Sequence, residues 1–261
     1  MKLSANGIDI HYTIEGEGPW LVLSHSLACD SSMWDPQMDA LKRAYKVLRF
    51  DTRGHGKTSA PAGAYTLDML ADDMKALLDG LHVKHPHYCG LSMGGMIGQT
   101  FALKYPGVVK TLVLADTTSR YAPEAAQMWA DRVKISTEKG MEPLVQGTLE
   151  RWFTEPFRKN HPEITGKVAS LIRNTPPAGY AGCCQALPKI NVTDRLKEIR
   201  TPIKVICGEQ DAGTPLAMSH EIQRNAPGAE LAVIANASHL SNVEQPEAFT
   251  AALTSFLAKH R

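Results

Sequence analysis

No stretch of this 261-residue chain holds the roughly 20 consecutive apolar residues of a membrane-spanning helix, so a membrane partner is not expected. One-sided charge is missing too. The 28 Lys+Arg face 27 Asp+Glu, a formal net charge of +1 with the signs interspersed. That leaves no basic stripe to neutralise a run of phosphates and argues against nucleic acid as a partner. Cysteine is scarce. Cys29, Cys89, Cys183, Cys184 and Cys207 are odd in number and irregularly spaced, the pattern of reduced thiols rather than of a disulfide framework. The opening Met1-Lys2-Leu3-Ser4 runs straight to a polar Asn6-Gly7, without the apolar stretch of a secretory leader. With the cysteine usage, this gives the expectation of a cytoplasmic protein. Internal repeats, low-complexity tracts and Gly/Ser linkers are absent as well.

What is there is an alternation. Residues 20–25, WLVLSH, form an apolar run too short for a helix and bounded by Gly18-Pro19, and they read as a buried strand. Residues 46–50, 86–90, 108–115 and 203–207 repeat the pattern. Between them, residues 66–81 place Leu67, Leu70, Met74, Leu77, Leu78 and Leu81 at spacings of three and four, with Asp68, Asp72, Asp73 and Lys75 on other faces: an amphipathic helix. Strands alternating with helices predict an α/β protein with a mostly parallel sheet covered on both faces. Residues 3–14, with Asn6-Gly7 at the turn, predict an antiparallel hairpin at one edge. From residue 119 to 196 the rhythm changes, because helix-like segments at 122–139, 142–153 and 164–173 follow one another with no strand between them. The expected organisation is a core of residues 1–118 and 197–261 and a helical cap of residues 119–196 packed upon it.

The chemistry centres on Cys89-Gly90-Leu91-Ser92-Met93-Gly94-Gly95, a G-x-S-x-G directly after an expected strand and before the apolar helix at 96–104. A serine on so sharp a turn sits in a strained conformation that needs small flanking residues, and Gly90 and Gly94 supply them. A glycine-rich turn of this kind can also cradle phosphate, but the full dinucleotide spacing is missing. Serine is a poor nucleophile near neutral pH and needs a base that a carboxylate orients, in the chain order Ser, acid, His. His239 lies after the strand-like residues 231–234 and before the helical residues 246–259, and Asp211 lies in Gly208-Glu209-Gln210-Asp211 just past a strand. Both fall where the C-terminal ends of strands deliver functional loops. Asp116 is the rival acid and Glu209 a weaker one; Asp211 is preferred because Gly208 and Gly213-Thr214-Pro215 make a tight loop that can aim it. The backbone N–H groups of Met93, after the nucleophile, and Leu27, in the loop after WLVLSH, are the candidate oxyanion-hole donors. His82, His85 and His87 mimic a metal cluster but straddle a helix-to-strand connection with no carboxylate beside them, so no metal is expected.

Asp51-Thr52-Arg53-Gly54-His55-Gly56-Lys57-Thr58-Ser59 resembles the loop after the fourth strand of α/β-hydrolases, and with GLSMGG and the Asp211 and His239 loops the likeness covers nearly the whole chain. It implies an α/β-hydrolase fold: an eight-stranded, mostly parallel sheet flanked by helices, with a helical cap. Within that superfamily Ser31-Ser32-Met33-Trp34-Asp35-Pro36-Gln37, Arg151-Trp152-Phe153-Thr154, Gly179-Tyr180-Ala181-Gly182-Cys183-Cys184 and His239-Leu240-Ser241-Asn242-Val243-Glu244-Gln245-Pro246 are similar to segments of the 3-oxoadipate enol-lactonases. Many superfamily members carry His-Gly where this chain has His25-Ser26, and the enol-lactonases carry Asn at the position of His25. The resemblance implies hydrolysis of 3-oxoadipate enol-lactone in aromatic catabolism, without cofactor or metal, by Ser92, Asp211 and His239. The small-molecule partner is then a lactone bearing a carboxylate, which needs a counter-charge. Arg120, Arg132, Arg151, Arg158 and Arg173 of the insert are available, and Arg132 and Trp152 are the expected contacts, since Trp129/Val133 and Leu149/Phe153 place apolar faces nearby. Two other readings stand beside it: a general carboxylesterase or cofactor-free haloperoxidase/perhydrolase of the same fold, and a non-catalytic ligand receptor on a hydrolase scaffold.

Overall fold

A computed structural model describes residues 1–260. In chain order its elements are β1 (Lys2–Ala5), β2 (Ile8–Glu15), β3 (Trp20–Ser24), α1 (Asp35–Leu41), β4 (Lys46–Phe50), α2 (Leu67–Gly80), β5 (His87–Leu91), α3 (Met93–Lys104), β6 (Thr111–Ala115), α4 (Ala125–Lys139), α5 (Glu142–Trp152), α6 (Glu155–Asn160), α7 (Pro162–Asn174), α8 (Pro177–Ala186), β7 (Ile203–Gly208), α9 (Leu216–Asn225), β8 (Glu230–Ile234), α10 (Ser241–Glu244) and α11 (Pro246–Ala258). The eight strands make one sheet in the order β1-β2-β4-β3-β5-β6-β7-β8. β1 and β2 pair antiparallel and β2 runs antiparallel to β4, while every pair from β4 to β8 is parallel. The β1–β2 turn is the expected one, with Asn6 and Gly7 at φ of 49° and 75°, the left-handed pair that a two-residue hairpin needs.

Because the sheet is covered on both faces, the central strands β3, β5, β6 and β7 are buried at nearly every position and mostly apolar. Leu21, Leu23, Cys89, Leu91, Val113 and Ala115 point into one core, whereas Val22, Tyr88, Leu112 and Leu114 point into a second on the opposite face. This is the period-2 alternation of a pleated strand with no polar side. Ser24 pairs with Gly90, and Leu91 with Ala115, so the loops after β3, β5 and β6 leave the sheet at the same edge.

α2 starts where Thr66 accepts the Met69 N–H at 3.0 Å, and it buries Leu67, Leu70, Met74, Leu77 and Leu78. Asp73, expected on an outer face, is instead buried: its carboxylate takes Arg53 Nε and Nη2 at 2.7 and 2.6 Å and the Asn6 amide at 2.7 Å. The strand expected over residues 108–115 begins at Thr111 rather than 108, because Pro106 and Gly107, the latter at φ 76°, still belong to the turn that ends α3. Between β6 and β7 lie five helices, of which α6 and α8 are additional to those expected. α8 holds two glycines and no charged residue, so it has neither strong helix propensity nor a polar stripe to give it away. It is nearly all buried, and Gly179 lies against Gly54 so closely that a Cβ there would meet the Gly54 carbonyl oxygen at 2.1 Å. All five cysteines are buried and free. Among the described residues, no helix is long and apolar enough to cross a membrane.

Candidate active site

The turn from β5 into α3 holds Ser92 at φ 55°, ψ −112°, a backbone conformation that L side chains rarely adopt. Its neighbours allow no larger residues: a Cβ on Gly90 would meet the Gly94 carbonyl oxygen at 2.3 Å, and one on Gly94 the Ser24 oxygen at 2.3 Å. The strain is held by Ser92 N–H donating to the Ala115 oxygen at 2.8 Å and by the Thr117 hydroxyl donating to the Ser92 oxygen at 2.7 Å. Ser92 therefore stands clear of the sheet edge, with its hydroxyl 2.9 Å from His239 Nε2.

His239 comes from the loop after β8, and its Nδ1 lies 3.0 Å from each carboxylate oxygen of Asp211, on the loop after β7. Three donors hold that carboxylate: Gly213 N–H at 2.7 Å, Thr214 N–H at 2.9 Å and the Thr214 hydroxyl at 2.8 Å. With the acid beside Nδ1, that nitrogen carries the ring proton and Nε2 is free to accept the serine proton. Asp116, the rival acid, turns elsewhere. Its carboxyl accepts Gly208 N–H at 2.7 Å and the Ser241 hydroxyl at 2.5 Å. Complete burial, and then the Asp211 charge, push its pKa well above the usual carboxylate range. Glu209 accepts the Asn236 N–H at 3.3 Å and faces solvent.

Ser26, Leu27, Ser92 and His239 line a small cavity of about 90 Å³ together with Tyr121, Trp129, Arg132, Arg151 and Trp152. The Leu27 and Met93 N–H groups donate to no other group among the described residues, so both remain available at this edge. Of the insert arginines, Arg120 pairs with Asp194 at 2.7 Å and Arg173 with Glu142 at 2.5 Å, and Arg158 does not line the cavity. Arg132 does, stacked 4.8 Å above the Trp129 ring. Trp152 lies with its ring centroid 6.1 Å from that of His239. His87 hydrogen-bonds Thr111 inside the fold at 2.8 Å, away from His82 and His85 on the turn before it. Among the described residues one set of metal-capable side chains lies together, Asp116, Cys207 and Asp211, but Asp211 is already engaged by His239.

Several contributors were not singled out in the sequence. Arg151 joins Arg132 at the cavity. Glu244, buried in α10, accepts Ser238 N–H at 2.9 Å and Thr154 N–H at 3.1 Å, and it also accepts the Thr154 hydroxyl, so one carboxylate ties the histidine loop to the end of α5. Leu240 N–H donating to the Trp152 oxygen at 3.1 Å and the Ser238 hydroxyl donating to the Arg151 oxygen at 2.9 Å reinforce that join. The signal for Glu244 was its place inside the HLSNVEQP string, but a buried capping carboxylate and a solvated one look alike in sequence.

A strand-turn-helix serine after β5, a carboxylate after β7 and a histidine after β8, all at one edge of a mostly parallel sheet, define an α/β-hydrolase arrangement. The chain belongs to the alpha/beta hydrolase fold family, whose model matches residues 19–246, and it is a hydrolase. It is 36% identical to 3-oxoadipate enol-lactonase 2 of Acinetobacter baylyi over 98% of this chain and 96% of that one. It superposes on the crystal structure of the enol-lactonase from Burkholderia xenovorans LB400 with a TM-score of 0.95 at 35% identity, covering 99% of this chain and 100% of that one. A thermophilic esterase from Thermogutta terrifontis, in a malate-bound structure, matches with a TM-score of 0.96 at 29% identity over the full length of both chains.

Proposed function

We propose that this chain hydrolyses 3-oxoadipate enol-lactone to 3-oxoadipate, with Ser92 as nucleophile, His239 as general base and acid, and Asp211 as the residue that orients it. The observation that carries this reading is the placement of two arginines, Arg132 and Arg151, neither with an ion-pair partner among the described residues, in the same cavity as the serine and histidine. Burial lowers the pKa of Arg151, and the neighbouring Arg132 charge lowers it further, so an anion lying between them relieves both the desolvation and the repulsion. A small lactone bearing one carboxylate satisfies that requirement and leaves its carbonyl for Ser92. The two enol-lactonase likenesses support the same substrate.

In the first step Ser92 Oγ attacks the lactone carbonyl as its proton passes to His239 Nε2, and the Leu27 and Met93 N–H groups take the developing oxyanion. Collapse breaks the ring C–O bond. The leaving oxygen departs as an enolate, which takes the proton that His239 had accepted from Ser92 and ends, with that proton on carbon, as a ketone, so expulsion is easier than from an alkyl ester. Because the ring held both halves together, the acyl-enzyme carries the whole molecule. Water, with its proton going to His239, then cleaves the acyl bond and releases the dicarboxylate. A carboxylate-bearing ester is the second reading, favoured by the esterase likeness, whose structure holds malate.

The test is a spectrophotometric assay of lactone loss. Wild type is expected to turn over rapidly, and Ser92→Ala to fall by about 10⁴–10⁶-fold. Arg151→Leu is expected to raise KM by about tenfold or more while leaving kcat within a few-fold, the signature of lost ground-state binding. Rapid hydrolysis of simple esters with the lactone untouched would move the protein to the esterase reading. Tight lactone binding without turnover in wild type would make it a receptor.

A further inference from the structure

The loop between β3 and the first helical turn carries two histidines' worth of constraint that the reaction scheme does not use. His25 is fully buried, with Nε2 2.9 Å from the Thr52 N–H and Nδ1 2.7 Å from the Ser26 carbonyl oxygen. A backbone N–H can donate only to an unprotonated ring nitrogen, so Nε2 is the acceptor, and Nδ1 carries the proton and donates to Ser26. His55 repeats the arrangement one loop away: Nε2 accepts the Ala28 N–H at 3.0 Å, and Nδ1 lies 3.2 Å from the Arg53 oxygen, to which it donates. The two rings sit 5.3 Å apart between the loops after β3 and β4. They hold a backbone that would not stay in place unaided, because Ala28 has φ 58°, in the left-handed region that a residue with a Cβ adopts only when its surroundings enforce it.

Among the described residues no peptide bond is cis, and in a trans peptide the C=O and the following N–H point in opposite directions. Drawing the Ser26 oxygen onto His25 therefore turns the Leu27 N–H the other way, and Ser26, Leu27 and Ser92 line one cavity. We propose that His25 and His55 are positioning residues of the oxyanion hole: two neutral imidazoles clamp the backbone from Ser26 to Ala28 so that the Leu27 N–H is fixed toward Ser92. This rests on the reading of Ser92 as nucleophile. Burial supports it by lowering both rings' pKa values, His55 to about 3, against the opposing pull of Asp51 on both and of Asp30 on His25. The DTRGHG loop thus supplies the clamp itself: His55 directly, and Thr52 as the donor that fixes the His25 tautomer. Asp51 holds that loop in shape by accepting Ser31 N–H and Lys57 N–H, each at 2.9 Å.

The experiment is phosphonylation of the full chain by a p-nitrophenyl alkylphosphonate, in which the serine oxygen bonds to phosphorus, p-nitrophenolate leaves and the serine proton passes to His239. It needs no knowledge of the natural substrate. Binding of the reagent (KI) and the bond-forming step (kinact) are read separately, with circular dichroism as the check on folding. His55→Leu, which leaves the Ala28 N–H without an acceptor, is expected to lower kinact by about 10–100-fold with KI within about threefold, since a displaced oxyanion donor acts only on the transition state. His55→Gln, whose amide oxygen can accept that N–H, is expected to recover kinact to within about fivefold of wild type. His25→Leu and His25→Asn make the same comparison at the other ring, the Asn amide standing in for the Nδ1 donor. A folded leucine variant with wild-type kinact, or a glutamine variant no better than leucine, overturns the proposal. So does failure of both leucine variants to fold, because the rings are then structural. If wild type itself is not phosphonylated, it is Ser92's role as nucleophile that fails.

Discussion

Asp211 carries its charge under three hydrogen bonds, and the Thr214 hydroxyl is the one that a substitution can remove without disturbing the backbone. Thr214→Val keeps the shape and leaves one lone pair of Asp211 Oδ2 without a donor. A hydrogen bond to a charged group contributes about 1.5–3 kcal/mol, and here it aims the acid as well as solvating it, so kcat is expected to fall by about tenfold. Steady-state kinetics at fixed pH would show it; an unchanged kcat would mean that the two backbone donors suffice. Asp116 shows the reverse case, a carboxyl at the right sheet edge that is fully buried, bonded to Gly208 and Ser241, and not directed at the histidine. At this scale the serine, histidine and acid were legible because each needs a particular residue type on a particular turn. Arg151, Thr214 and Glu244 were not, since an arginine, threonine or glutamate has no local pattern that separates a buried partner from a solvated one.

Where α5 meets the histidine loop, Glu244 joins the two by accepting Ser238 and Thr154 N–H groups. Glu244→Leu leaves the buried Ser238 N–H and the half-buried Thr154 N–H and hydroxyl without this acceptor. It is expected to cost about 2–4 kcal/mol, visible as a lower melting temperature, and to lower kcat as His239 and Trp152 lose their common anchor. Glu244→Gln, which keeps an acceptor, is expected to lie between the two; a leucine variant as stable as wild type would deny Glu244 this role. Elements were legible where a periodic pattern or a turn signal stands out, as in the apolar spacing over residues 66–81 for α2 and at Asn6-Gly7 for the hairpin. α8 was hidden for a physical reason: nearly all buried and in contact with Gly54, it has too little solvent face to write a period into the sequence. α3 begins three residues earlier than its apolar run, because the nucleophile's strained turn is itself the helix's N-terminal boundary.

Across the whole molecule, burial of histidine makes stability depend on pH in a definite direction. Burial takes His55 to about 3 and His87 to about 4 from an ordinary value of 6.5, in the second case with help from the Lys110 charge. His25 is lowered as well, burial outweighing Asp51, the Ser26 hydrogen bond and Asp30. Between pH 6.5 and about 4 the unfolded chain therefore binds protons at these rings that the folded chain refuses, and stability falls as pH falls. Asp116 works against this: raised in the fold by burial and by Asp211, it holds a proton above 3.8 that the unfolded chain has lost, which favours the folded state toward acid. The His55 and His87 rings against one carboxyl leave roughly one net proton near pH 5, up to about tenfold in the folding equilibrium for each pH unit. For a chain of this length that is a fall in melting temperature of about 3 °C per unit between pH 6 and 4.5. His87→Gln, which takes one titrating ring out of the fold, is expected to flatten the slope measurably. A melting temperature that holds level or rises from pH 6 to 4.5 would show that these rings are protonated in the folded state, and the neutral clamp on the oxyanion loop would lose its support.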